Sequence, residues 1–159
     1  MIDAKYFLNL LNPWHLLATG FGSGLSPVIP GTIGSLAAIL FWLLIDFLLP
    51  VWLCWLIILF SFAVGIFICQ RTSDDMQVHD HSSIVWDEFI GMWITIMVIP
   101  LVNLQWVFIA VVLFRFFDML KPWPISWFDR QIGGGLGIML DDIIAAIFAM
   151  VILGALAHL

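Results

Sequence analysis

Charge is what this sequence has least of. Only 10% of its 159 residues are Asp, Glu, Lys or Arg and 64% are apolar, with a mean hydropathy of +1.14. In a soluble domain about a quarter of the residues are charged, so a water-exposed globular fold is excluded. Positive charge is scarcer still: five Lys and Arg stand against eleven Asp and Glu, a net charge of -6. That balance disfavours nucleic acid or an anionic membrane surface as a polyelectrolyte partner. Cysteine is nearly absent too. Cys54 and Cys69 lie in one apolar run, which reads as two buried thiols and excludes a disulfide framework. The first 17 residues lack the cleavage pattern of a signal peptide. Residues 6–17 read instead as an interfacial helix with Tyr6 and Trp14 at headgroup level. The length allows one domain.

What is abundant is long apolar sequence. Residues 33–49 and 51–69 are two such runs hinged at Pro50, and a third ends the chain at 138–158. At 1.5 Å per residue the first two reach about 25 and 28 Å, close to the ~30 Å of a bilayer's hydrocarbon. Between them and the third lie 84–99 and 104–121, adequate spans only if Asp87, Glu88, Arg115 and Asp118 sit at or just inside the boundary. The expected fold is therefore all-α: a polytopic membrane bundle of about five membrane-embedded helices plus an N-terminal interfacial one, forming a single domain over 1–159. With five crossings all five basic residues, Lys5, Arg71, Arg115, Lys121 and Arg130, fall on the cytoplasmic side, as the positive-inside rule asks. Ten of the eleven acids join them, leaving Asp46 alone near the other face.

Three polar stretches occupy that side. Gly20 to Ser35 combines glycines, hydroxyls and two prolines before a helix. It is either an anion nest or a loop that lets helices pack closely. The second carries His79-Asp80-His81, then Asp87-Glu88 at the start of an apolar helix, with Ser82 or Ser83 as a possible cap and Gly91 leaving room for a neighbouring helix or ligand. The third places Arg115, Asp118 and Lys121 on one helical stripe, followed by Asp129-Arg130, a glycine run over 133–137 and Asp141-Asp142. Those glycines form a second candidate anion nest.

Carboxylates from three helices thus converge on one membrane face. Oxygen ligands without thiolates suit a hard cation such as magnesium, and Arg115 and Lys121 beside them suit a phosphate oxyanion. This is the equipment of phosphoryl chemistry on a lipid headgroup. The sequence has no Cys-x5-Arg loop, no Asp-x-Asp nucleophile, no Ser-Gly-His lipid-phosphatase signature and no CDP-alcohol phosphotransferase pattern, so it lacks the residues those covalent or transferase mechanisms use. A small ion-coupled transporter and a non-catalytic scaffold are the rival classes. The first fits poorly because the acids gather at one face instead of the midplane.

Asn12-Pro-Trp-His-Leu-Leu17, Gly20-Phe-Gly-Ser-Gly-Leu-Ser-Pro27, Pro30-Gly-Thr-Ile-Gly-Ser-Leu36, Val78-His-Asp-His81 with Ile84-Val-Trp-Asp-Glu-Phe-Ile-Gly91, and Arg115-Phe-Phe-Asp-Met-Leu-Lys-Pro-Trp-Pro124 with Gly137-Ile-Met-Leu-Asp-Asp142 together resemble the phosphatidylglycerophosphatase A family, in unbroken order from residue 12 to about 148. The resemblance implies a magnesium-dependent enzyme of the bacterial inner membrane, its site facing the cytoplasm, that converts phosphatidylglycerophosphate to phosphatidylglycerol and inorganic phosphate. On that reading Glu88, Asp118, Asp141 and Asp142 are expected to hold Mg2+, and Asp87 to be a ligand or to orient water. Arg115 and Lys121, with Thr32 and Ser35, are expected to clamp the phosphomonoester. His79 or His81, with Asp80, is expected to protonate the leaving alkoxide, the alternative being a structural clasp. His15 and His158 are expected at the interface.

Overall fold

The computed structural model describes residues 4–99 and 103–157, and among these every regular element is helical. His158 and residues 100–102 lie outside the described residues. The N-terminal segment is two short pieces instead of one helix over 6–17: a 3-10 turn at Ala4–Phe7 and helix α1 at Pro13–Ala18. Asn12-Pro13 makes the division. The Asn12 side chain accepts from Trp14 N (3.0 Å) and Pro13 takes the first helical position, where its missing N–H costs nothing.

Helices α2 (Pro30–Leu48) and α3 (Val51–Met76) follow, joined at Leu49-Pro50. The second runs seven residues beyond the apolar stretch. Its polar end stays helical through i,i+4 partners, Gln70 to Asp74 at 2.8 Å and Arg71 to Asp75 at 3.5 Å. It stops where Gln77 turns left-handed and Val78 N reaches back to Ser73 O.

Helix α4 (Trp86–Ile96) is only 11 residues long and all of them are buried. At about 16 Å it is half a bilayer. Its start is delayed because Val85 N is tied to Ala18 O (2.8 Å) at the end of α1. Neither serine caps it: Val85 is the cap residue, and Ser83 uses its backbone N to donate to His81 Nδ1 (3.1 Å). Helix α5 (Leu104–Leu120) reaches about 25 Å, a short α6 (Ile125–Gln131) was not foreseen, and α7 (Gly134–Ala157) closes the described chain. Among the described residues three helices, α2, α3 and α7, are long and apolar enough to cross a membrane; α4 and α5, at 11 and 17 residues, are shorter.

The core is α4 itself, packed against α2, α3, α5 and α7. Its indoles satisfy their N–H groups on neighbouring helices, Trp86 on Ser61 O (3.2 Å) and Trp93 on Ala38 O (2.8 Å). Gly91 is the contact point with α5 and α7. A Cβ there would lie 2.6 Å from the Phe114 ring and 3.2 Å from Asp142 O, so the glycine is required by two neighbouring helices. Cys54 and Cys69 are free and buried.

Candidate active site

The polar ends of α4, α5 and α7 enclose an open cavity of about 280 Å³ together with the loop after α3. Asp87 and Glu88 come from the first turn of α4, where carboxylates suit the positive end of the helix dipole. Arg115 and Asp118 come from the last turns of α5, and Asp141 and Asp142 from the third turn of α7. Asp80, in a left-handed loop position that aspartate tolerates, reaches the rim. Lys121, the left-handed residue that ends α5, completes the wall.

Every cation here is engaged by acids. Arg115 Nη1 donates to Glu88 Oε1 at 2.9 Å and pairs with Asp118. Lys121 Nζ bridges Asp129 (2.7 Å) and Asp141. Burial alone would lower the Lys121 pKa, but Asp141 and Asp129 outweigh it and hold the ammonium above the usual lysine range. Asp80, Asp129 and Asp141 offer oxygens within 4.8 Å of one another, and the Lys121 ammonium already bonds two of that trio.

Even so, six lining carboxylates face two cations, a formal excess of four negative charges. Asp87 Oδ1, Glu88 Oε2 and Asp142 Oδ2 are buried and find no hydrogen-bond partner among the described residues. Buried carboxylate oxygens are rarely left so.

Helix α2 supplies the space for the Glu88–Arg115 pair. A Cβ at Gly31 would strike Glu88 Oε1 and both Nη atoms of Arg115, and one at Gly34 would sit 2.9 Å from Glu88 Oε2. The alternative left open for the Gly20 to Ser35 stretch resolves toward close packing, though what it packs against is the charged pair. The glycine run before α7 is likewise occupied: Gly134 N donates to His79 Nε2 (3.0 Å) and Gly135 N to Gln70 Oε1 (2.7 Å). Side chains from the α3 end cap α7, so these amides are not an open anion nest.

A profile of the family described as phosphatidylglycerophosphatase A matches residues 16–157. The chain belongs to the phosphatidylglycerophosphatase A family. A phosphatidylglycerophosphatase A from Escherichia coli K12 is 57% identical over 155 residues, covering 98% of this chain and 90% of that protein. One from Haemophilus influenzae is 48% identical over 151 residues, covering 95% and 93%. A Bacteroides thetaiotaomicron relative, provisionally named a phosphatidylinositol-3-phosphatase, is 38% identical over 146 residues, covering 87% and 89%. No solved structure matches.

Of the residues singled out from the sequence, this member of the family brings Asp80, Asp87, Glu88, Arg115, Asp118, Lys121, Asp141 and Asp142 to one cavity. Five others lie elsewhere. Ser35 is buried and donates to Gly31 O (3.0 Å) inside α2. Thr32 lines an apolar groove between α2 and α5. His79 and His81 are spent on backbone amides, as a loop clasp would have them. His15 is 4% exposed, its Nδ1 accepting from Asn9 N and its Nε2 meeting Asp75 at 3.0 Å; it is a buried clasp between the N-terminal segment and α3 instead of an interfacial side chain. Sequence reasoning assigned no role to Asp129, the second partner of Lys121. Seven residues, among them Pro122-Trp-Pro124, lie between the two, and no helical or strand period connects them.

Proposed function

We propose that the protein is a magnesium-dependent phosphatidylglycerophosphatase of the bacterial inner membrane, hydrolysing the terminal phosphomonoester of phosphatidylglycerophosphate at a site on the cytoplasmic face. Family membership and the relatives' names support the substrate. The observation that carries the chemistry is the cavity with its three buried, partnerless carboxylate oxygens. A phosphomonoester dianion entering a site with four excess negative charges is repelled unless a cation shares it. Hard oxygen donors fit Mg2+, so the donor set and the group agree.

Glu88 and Asp142 would hold the ion, with Asp118 and Asp141 close by. Bound there, Mg2+ would supply Lewis-acid polarisation of the phosphoryl group and a more acidic water. The chain's own residues do the rest. Arg115 and Lys121 hold the non-bridging oxygens, exchanging part of their carboxylate contacts for phosphate contacts. Asp87 orients the attacking water and accepts its proton. As the new P–O bond forms, the bond to the glycerol oxygen breaks and that oxygen takes up a proton. Asp80 at the rim is placed to relay it from solvent, since neither histidine of the loop lines the cavity.

Arg115 and Lys121 line the cavity, and Arg71 and Arg130 lie in the last turns of α3 and α6; basic residues in such positions support a cytoplasmic orientation. Purified protein in detergent should release phosphate from phosphatidylglycerophosphate only with Mg2+ present. Equal release after exhaustive chelation would overturn the metal reading, and no release under any ionic condition would overturn the activity.

A further inference from the structure

Beside the charged cavity runs a second concavity of about 310 Å³, the apolar groove between α2 and α5. Thr32 and Leu36 form one wall and Leu104, Val107, Phe108 and Val111 the other. We propose that this groove seats an acyl chain of the lipid substrate and so positions the headgroup over the acids, an inference that rests on the phosphatidylglycerophosphatase reading.

Continuity with the cavity carries the argument. Thr32 follows Gly31, where a Cβ would run into Glu88 and Arg115. Val111 is one helical turn from Arg115, and Val111, Phe108 and Leu104 descend the same α5 stripe as Arg115 over about 16 Å. A ligand held at Arg115 by its phosphate therefore finds an apolar track that starts one turn away. The groove exists because α2 and α5 touch only briefly while each packs on α4, and Leu36, Leu104 and Phe108 stay exposed at 46%, 86% and 67%. The groove is open along its length and lined almost wholly by apolar side chains, which suits a single hydrocarbon chain lying along it. Because lipid tails are already in apolar surroundings, the groove gains little from desolvation. Its contribution is orientation, which appears in the chemical efficiency of long-chain substrate.

The experiment fills the groove from either wall with Leu36→Trp or Val107→Trp, using Val112→Trp, on α5 outside the groove, as control. For each, kcat/KM is measured on dioleoyl and dihexanoyl phosphatidylglycerophosphate in detergent. In parallel, the protein is photolabelled with dioleoyl substrate carrying a diazirine in its acyl chain. The expected result is at least a tenfold fall in the dioleoyl to dihexanoyl ratio for the groove variants and less than twofold for the control. Labelling should concentrate on α2 and α5 and be competed by unlabelled substrate but not by phosphatidylcholine. An unchanged ratio, or labelling spread over all outward helix faces without competition, means annular lipid only and overturns the proposal. Wild-type protein that releases no phosphate from either lipid overturns the enzymatic reading instead, while the labelling still decides the groove.

Discussion

Helices α3 and α4 are built from much the same apolar residues and occupy opposite situations. Only 22% of the most apolar stretch of α3 is buried, and Trp52, Leu56, Leu59, Phe60 and Phe67 point outward. All 11 residues of α4 are buried, including two carboxylates and a glycine. In water such a difference would show as polarity on the exposed face. In a bilayer the surroundings are as apolar as the core, so hydrophobicity does not separate inside from outside. What separates them is tolerance: α3 can change its outward side chains freely, whereas α4 is buried on every side and leaves no face where an added side-chain atom fits without displacing a neighbour.

That contrast can be broken most severely at the acids. Glu88→Gln or Asp142→Asn should lower kcat for phosphate release by on the order of 10²–10³ or more, measured on protein whose melting temperature in detergent confirms folding. Near-normal turnover in both would remove α4 and α7 from the chemistry. The next largest effect is Arg115→Ala, which strips Glu88 and Asp118 of their shared cation. Removing one partner of a buried pair should destabilise by about 3 kcal/mol, visible as a lower melting temperature that added Mg2+ partly restores, because a divalent ion can take over the freed carboxylates. Gly91→Ala adds one methyl group against Phe114 and should cost about 1–3 kcal/mol. The matched change Gly154→Ala on α7, where a Cβ meets nothing within 4 Å, should be neutral or slightly stabilising. Equal losses at both glycines would mean that crowding around α4 is not the cause. The smallest effect belongs to α3: Leu59→Ala and Phe60→Ala, both lipid-facing, should shift stability by no more than about 0.5 kcal/mol.

The sequence makes the two outer helices of the hairpin and the last helix legible because each is a long apolar run with a proline or glycine at its boundary. It also makes the acidic cavity legible, since carboxylates at the starts of apolar helices have few other reasons to be there. Length was misread at α4. The apolar pattern continues through Ile84 and Val85, and only a backbone bond to Ala18 delays the helix, a long-range event that leaves no local mark. The helical continuation of α3 into Gln70–Met76 was missed because the apolar run stops at Cys69, although the i,i+4 pairs were there to be counted. Residue type points Ser35 toward phosphate and the histidines toward the leaving alkoxide, and all three are hydrogen-bonded to the backbone. A hydroxyl or imidazole serves either purpose equally well, so composition could not choose. Gly31 and Gly34 were visible as glycines but not as neighbours of Glu88, which is 54 residues beyond the second of them.

The bond from Val85 N to Ala18 O has a reach beyond its own turn. Ala18 ends α1, which is anchored to α3 through the Trp14–Phe67 ring contact, at 5.2 Å, and the His15–Asp75 clasp. Asp87 and Glu88 sit two and three residues past Val85. Through that bond the start of α4, and with it both carboxylates, is tethered to α1, a helix whose exposed Trp14 is the kind of side chain that settles at the edge of a bilayer. The acids thus have a link to the membrane boundary in addition to the packing of α4 on α2, α3, α5 and α7.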